Sequence, residues 1–174
     1  GQSAGIRFYY PSASGTISVS PTEIYTTALT DRFVIRVSNG GAGSGSLRRV
    51  VINLPSYVTG VVGRTSSWMT ADTNNMRVGA TTITLNYTND GGGSLAAGQV
   101  DTIILRLTDN ISTNNSLPAF SATGDNGGGF VALTTSVGGS VSAKVVRPPN
   151  ISITPASINT TASSNLFRVD VNNN

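Results

Sequence analysis

The sequence predicts an all-β fold, an Ig-like antiparallel β-sandwich that is tandem or strand-exchanged. Short runs alternate apolar and polar residues with a period of two. Clusters of Gly, Asn and Asp separate them at roughly ten-residue intervals, and no apolar 3.6-residue period is long enough for a helix.

Taken in order, Ile6, Phe8 and Tyr10 alternate ahead of Pro11 and form a first short strand. Thr16–Ser20 follows, and then Phe33, Ile35 and Val37 alternate with Val34, Arg36 and Ser38. Further strands are expected at Leu47–Leu54, Thr81–Tyr87, Val100–Thr108, Phe130–Thr135 and Ser140–Val146, all rich in Thr, Val, Ile or Tyr, which suit a pleated surface. Asn39-Gly40-Gly41, Asn89-Asp90-Gly91-Gly92-Gly93, Asp125-Asn126-Gly127 and Gly138-Gly139 supply the positive φ of tight connections. The alternation puts Phe33, Ile35, Val37, Val50, Ile52, Ile83, Leu85, Ile103, Leu105 and Leu107 inside.

Composition removes much chemistry. Of 174 residues only 11% are charged, while Ser, Thr and Asn supply 22, 22 and 16, and Cys and His are absent. There is therefore no thiolate or imidazole metal site, no Ser-His-Asp triad and no disulfide framework, so an ordinary packed core must hold the fold. The net charge of +3 and pI near 9.7 come from basic residues scattered singly except for Arg48-Arg49. Nucleic-acid binding needs them clustered, so no nucleic-acid partner is expected. No apolar run approaches the ~20 residues of a membrane span. The chain opens on Gly1, which is compatible with a removed leader or upstream sequence.

An internal repeat sets the organisation. Thr16-Ile17-Ser18-Val19-Ser20-Pro21 recurs as Asn150-Ile151-Ser152-Ile153-Thr154-Pro155, 134 residues on. In the same register Ile24 matches Ile158, Thr26-Thr27-Ala28 matches Thr160-Thr161-Ala162, Phe33 matches Phe167, Val37 matches Val171 and Asn39 matches Asn173. A period of that length is a whole domain rather than a solenoid turn. Residues 15–146 thus read as one complete unit and 147–149, Arg147-Pro148-Pro149, as a stiff linker. Residues 150–174 read as the first two strands of a second unit or a strand-exchange tail, and 1–14 as the closing strand of a preceding unit or an N-terminal donor strand.

Three stretches resemble the tandem-repeat Ig-like domain of prokaryotic surface proteins, a domain of unknown function. They are Phe33-Val34-Ile35-Arg36-Val37-Ser38-Asn39-Gly40-Gly41, then Leu47 to Val58 with Val50-Val51-Ile52-Asn53-Leu54-Pro55, then Ser94-Leu95-Ala96-Ala97-Gly98-Gln99 leading into Val100–Leu107. The resemblance covers about residues 16–108; beyond Thr108 the chain departs from the pattern, with further strands in Ser116–Val146. The resemblance implies an extracellular spacer, stalk, sheath or fibre module without catalytic activity.

Candidate sites are few. The carboxylates Glu23, Asp31, Asp72, Asp90, Asp101, Asp109, Asp125 and Asp170 form no dense cluster. Asp72-Thr73-Asn74-Asn75 and Asp125-Asn126-Gly127 read as turn-stabilising Asx side chains rather than Ca²⁺ loops. Lys144, the sole lysine, is an outward strand residue more readily than an isopeptide partner. Trp68 beside Met69 is a core or loop anchor more readily than a sugar-stacking platform. Asn-x-Ser/Thr sequons at Asn86, Asn110, Asn114, Asn150 and Asn159 are candidate glycosylation sites, and surface glycans candidate partners. No catalytic residue, metal or cofactor is expected.

The reading is a structural subunit of an extracellular filament or tandem-repeat cell-surface protein, assembled by β-strand complementation between units. Its assembly residues are Ile6, Phe8, Tyr10, Ile151, Ile153, Ile158, Phe167, Val169 and Val171, because lone strand pairs expose apolar faces and unpaired backbone. Its partner is itself, head to tail, or a neighbouring repeat. The alternative is a cell-surface adhesin or carbohydrate-binding β-sandwich module, for which an aromatic groove around Trp68 is the distinguishing feature.

Overall fold

Stiff β-branched side chains at alternate positions favour extended backbone with one face inward, and the computed structural model of the chain is built accordingly. It describes residues 13–25, 30–41, 45–89, 93–111, 116–137, 141–144, 150–154 and 166–172, all of them strand, turn or loop. The strands are β1 (Gly15–Ser20), β2 (Glu23–Tyr25), β3 (Asp31–Asn39), β4 (Arg49–Asn53), β5 (Val58–Ser66), β6 (Met76–Val78) and β7 (Thr82–Asn86). They continue with β8 (Val100–Asp109), β9 (Ser116–Leu117), β10 (Ser121–Asp125), β11 (Phe130–Ala132), β12 (Thr134–Val137), β13 (Val141–Lys144), β14 (Asn150–Thr154) and β15 (Arg168–Asn172).

Two five-stranded sheets, ordered β12-β1-β3-β8-β5 and β11-β10-β4-β7-β6, enclose the core. A smaller sheet, β2-β13-β9, closes one side, and β14-β15 stands as a sheet of two. The ladders are antiparallel except for β12 on β1 and β13 on β2, which run parallel. Those parallel pairs bind the last strands of the sandwich to its first.

The ten side chains that alternation places inside are all in the buried cluster, with Ile17, Val19, Leu47, Met76, Tyr87, Leu95 and Phe120 joining them. Phe120 packs its ring against Phe33 at 5.2 Å between centroids and meets Tyr57 edge-on at 6.5 Å. Burial of each large aliphatic or aromatic side chain contributes roughly 1.5–3 kcal/mol.

Two expectations change in detail. The run Phe130–Thr135 is not one strand: β11 pairs with β10 in one sheet and β12 with β1 in the other. The buried Leu133 between them donates its N–H to the Ala122 carbonyl at 2.9 Å, so the chain changes sheets around a core anchor. Strand β5 escapes the alternation test because its ladder to β8 shifts register between Val58 and Gly60 and between Val61 and Gly63. Each extra residue flips the face presented next, which erases the period of two. Gly124 of β10 is an inward glycine with a reason: a Cβ there would stand 2.8 Å from Leu47 and 3.0 Å from Leu133.

Candidate functional site

The C-terminal hairpin is where sequence and packing part company. Its rungs are Asn150↔Asn172, Ile151↔Val171, Ser152↔Asp170, Ile153↔Val169 and Thr154↔Arg168. In the sandwich, β1 and β3 pair as Thr16↔Ser38, Ile17↔Val37, Ser18↔Arg36, Val19↔Ile35 and Ser20↔Val34. Adding 134 to every residue of the second set gives the first. The two hairpins therefore share one register over all five rungs, in agreement with the repeat.

Their environments differ. Val19, Phe33 and Ile35 are at most 1% exposed, whereas their counterparts Ile153, Phe167 and Val169 are 56%, 54% and 56% exposed. Leu166, next to Phe167, is 93% exposed. In the sandwich, β1 carries β12 on its outer edge and β3 carries β8. Among the described residues, neither outer edge of β14–β15 is paired. Toward the described residues the hairpin therefore leaves the backbone groups of both edges open, together with a solvated row of large apolar side chains. Single exposed hydrophobics are ordinary, but a contiguous row on an unpaired sheet is what partners bind.

Of the expected assembly residues, Ile153, Phe167 and Val169 lie on this surface, and Ile151 and Val171 pair across the hairpin. Ile6, Phe8, Tyr10 and Ile158 fall outside the described residues, as do the sequons at Asn114 and Asn159. Asn86 closes β7 and donates its side-chain N–H to the Asn74 carbonyl at 2.9 Å. Asn110 is exposed just after β8, its backbone N–H donating to the Tyr57 carbonyl at 3.1 Å. Asn150 opens β14, and Lys144 ends β13. Trp68 is half-buried against the core, its indole N–H directed to the Gly93 carbonyl at 3.4 Å.

The Asx turns form as expected. Asp72 Oδ1 accepts the N–H groups of Asn74 and Asn75, each at 2.8 Å. Asp125 Oδ1 accepts Gly127 N–H at 2.8 Å and Gly129 N–H at 3.2 Å, while Arg49 lies 3.5 Å from Oδ2. The Gly127 N–H above all, then that of Gly129 and the charges of Arg49 and Arg48, hold the Asp125 carboxyl below its ordinary range. Arg49 also lies over the Phe130 ring, 4.4 Å from its centroid. Among the described residues no group of three carboxylates is placed to hold a metal ion. The open depression of about 260 Å³ beside Arg77, Gly79, Thr82 and Thr84 brings no second titratable group to that arginine.

Two interior polar clusters escaped the reading of the sequence. Asp101 is wholly buried and accepts from Ser66 Oγ (2.8 Å), Ser67 N–H and Oγ (3.1 Å each) and Tyr87 O–H (3.2 Å). This ties β8 to the end of β5 and, across the core, to the segment following β7. Burial, reinforced by Asp101, pushes the Tyr87 phenol well above its usual range. The second cluster, at the start of β3, joins Asp31, Asp109 and Tyr57. Desolvation, then a hydrogen bond to Asp109 and its charge, pushes the Asp31 carboxyl up to about 7. Burial and the two carboxylates also raise the Tyr57 phenol. Asp31 Oδ2 and the Tyr57 hydroxyl are buried without hydrogen-bond partners. A repeated Asp could have flagged the pair, but the residue aligned with Asp31 is Asn165.

No family model matches the chain, and no curated protein matches it. Solved structures do. The bacterial hydrophobin BslA superposes with a TM-score of 0.52 at 13% identity, covering 80% of this chain and all of its own. The seventh ScaB type I cohesin of Pseudobacteroides cellulosolvens gives 0.45 at 10% identity, over 77% of this chain and 94% of its own. A non-cellulosomal cohesin of Archaeoglobus fulgidus gives 0.43 at 16% identity, over 78% and 93%. At such identities the hydrophobin likeness shows a shared fold, that of an all-β sandwich.

Proposed function

We propose that the protein is a structural unit of an extracellular filament or tandem-repeat cell-surface protein, in which the C-terminal hairpin is completed by strands of a neighbouring unit. The observation that carries this reading is the pair of hairpins with one register and opposite burial: the sequence of β14–β15 is written for a core that the described strands of the chain do not enclose. Two strands alone are marginal in water, so such a sheet gains most of its stability from a third strand or a covering face. The sparse charge, the Ser/Thr/Asn-rich surface and the resemblance to surface-protein repeats support an extracellular setting, as does a fold shared with a bacterial hydrophobin.

Sedimentation and amide exchange of the whole chain test the proposal. The expected result is concentration-dependent species above the 17.9 kDa chain mass, reduced by Val169→Asp without loss of the sandwich's unfolding transition. A monomer whose Val169 amide is as protected as that of Ile35 would mean that the hairpin is satisfied within its own chain, and the reading fails.

A further inference from the structure

We infer that β14–β15 of one copy takes the place of β1–β3 in a second copy, lying antiparallel to that copy's β8 and parallel to its β12. The inference rests on the reading of the hairpin as an assembly element, and it names the slot and the register.

Shape comes first. The rung Ile17↔Val37 has the same two residue types as Ile151↔Val171. The next inward rung, Val19↔Ile35, becomes Ile153↔Val169, the same pair exchanged across the ladder. Phe33 is matched by Phe167. Total side-chain volume at these positions is unchanged, and volume-conserving swaps are what cores accept best. The slot made for one hairpin therefore admits the other.

Charge then favours the newcomer. In the sandwich Arg32 stands directly opposite Arg106, and neither forms an ion pair with a described acidic residue. Like charges on one rung are destabilising. On the inner face the buried Asp31 lies diagonally across the β3–β8 ladder from the half-buried Asp109, and its Oδ2 has no hydrogen-bond partner. The residues aligned with Arg32 and Asp31 are Leu166 and Asn165. An incoming hairpin in this register thus sets Leu166, two residues before β15, against Arg106, and its sequence carries no acid at the position of Asp31. Its outer face also carries Arg168 and Asp170, paired at 2.8 Å, where β3 brings Val34 and a second arginine, Arg36. Exchange leaves one hairpin unseated in either arrangement, so apolar burial nearly cancels, and relief of the Arg32–Arg106 contact and of the buried, unsatisfied Asp31 carboxyl sets the direction. The contact is heterologous and propagates from copy to copy.

The chain contains no Cys, which makes disulfide trapping clean. In the sandwich Arg36 faces Thr102, so an exchanged Asp170 faces Thr102 of the recipient. Equal amounts of Asp170→Cys and Thr102→Cys chains, mixed and oxidised, are expected to give a 102–170 linked dimer, identified by mass spectrometry of the joined peptides. Arg36→Cys with Thr102→Cys in one chain is the control that the rung can be bridged. Asp170→Cys with Arg106→Cys, four residues out of register, is expected not to link, since bridged Cα atoms lie within about 7 Å. Adding Asp31→Asn and Arg32→Leu to the Thr102→Cys recipient removes the conflict in its resident hairpin and is expected to lower the yield about fivefold; circular dichroism checks that this recipient is folded. Oligomers that link only 170 to 170 overturn the exchange while leaving the assembly reading intact. A monomer with no intermolecular link overturns both.

Discussion

Ile35 and Val169 sit on the same rung of two hairpins that share one register. The first is sealed between β1, β8 and the facing sheet, while the second is more than half exposed. Pairing is therefore local, set by alternation and chain order, whereas burial depends on which strands stand next to the pair. β3 has β8 beside it and a second sheet over it; β15 has only β14 among the described strands. The same pattern of residues is a core in one setting and a binding surface in the other.

The largest expected effect tests that contrast directly. Ile35→Ala should cost about 2–5 kcal/mol, as cavity-forming changes in a packed core do. Val169→Ala in the dilute chain should stay within about 0.5 kcal/mol, as exposed positions do. Denaturant unfolding measures both. Comparable losses would show that the C-terminal hairpin is covered, and the comparison would break.

A second test concerns the anchor that β8 brings beside β3, where Asp101 faces Val37. Asp101→Ala would strand Tyr87 and the Ser66 and Ser67 hydroxyls without their acceptor, at a cost of about 3 kcal/mol. Tyr87→Phe removes one donor only and should cost about 1 kcal/mol. Thermal unfolding of the two variants separates the buried carboxylate from the single hydrogen bond. Equal, small losses would mean that water replaces the network.

The third test is pH dependence. Asp31 is held protonated up to about pH 7 in the fold, against an ordinary carboxyl value of 3.8 when unfolded. The folded state then binds more protons than the unfolded one between those values. The contribution of Asp31 to stability is greatest below pH 4, falls as pH rises to 7, and is level above it. The loss is on the order of 4 kcal/mol. Asp31→Asn, which copies the residue at the aligned position 165, should flatten the profile while leaving a neutral partner for Asp109. An unchanged slope would place the titration elsewhere.

Much of this was legible in the amino-acid order. The sandwich class, the ten inward positions and the shared register of the two hairpins follow from alternation and from a repeat 134 residues long, because side-chain direction in a strand obeys a period of two. β5 was not legible, since two register shifts break that period. The Asp101 and Asp31 networks were legible only in part: each Asp is in phase with the inward residues of its own strand, but its partners lie far off in sequence and alternation does not name them.

By itself the sequence determined which residues alternate, which segments repeat and which chemistries are missing, since these depend on neighbours along the chain. Only the tertiary structure decided that β12 and β13 return parallel to the first two strands, that two carboxyls meet at the start of β3, and that Ile153, Phe167 and Val169 remain in water. Those outcomes depend on contacts between distant strands, and the free energy of burial belongs to the enclosed volume rather than to the strand that enters it.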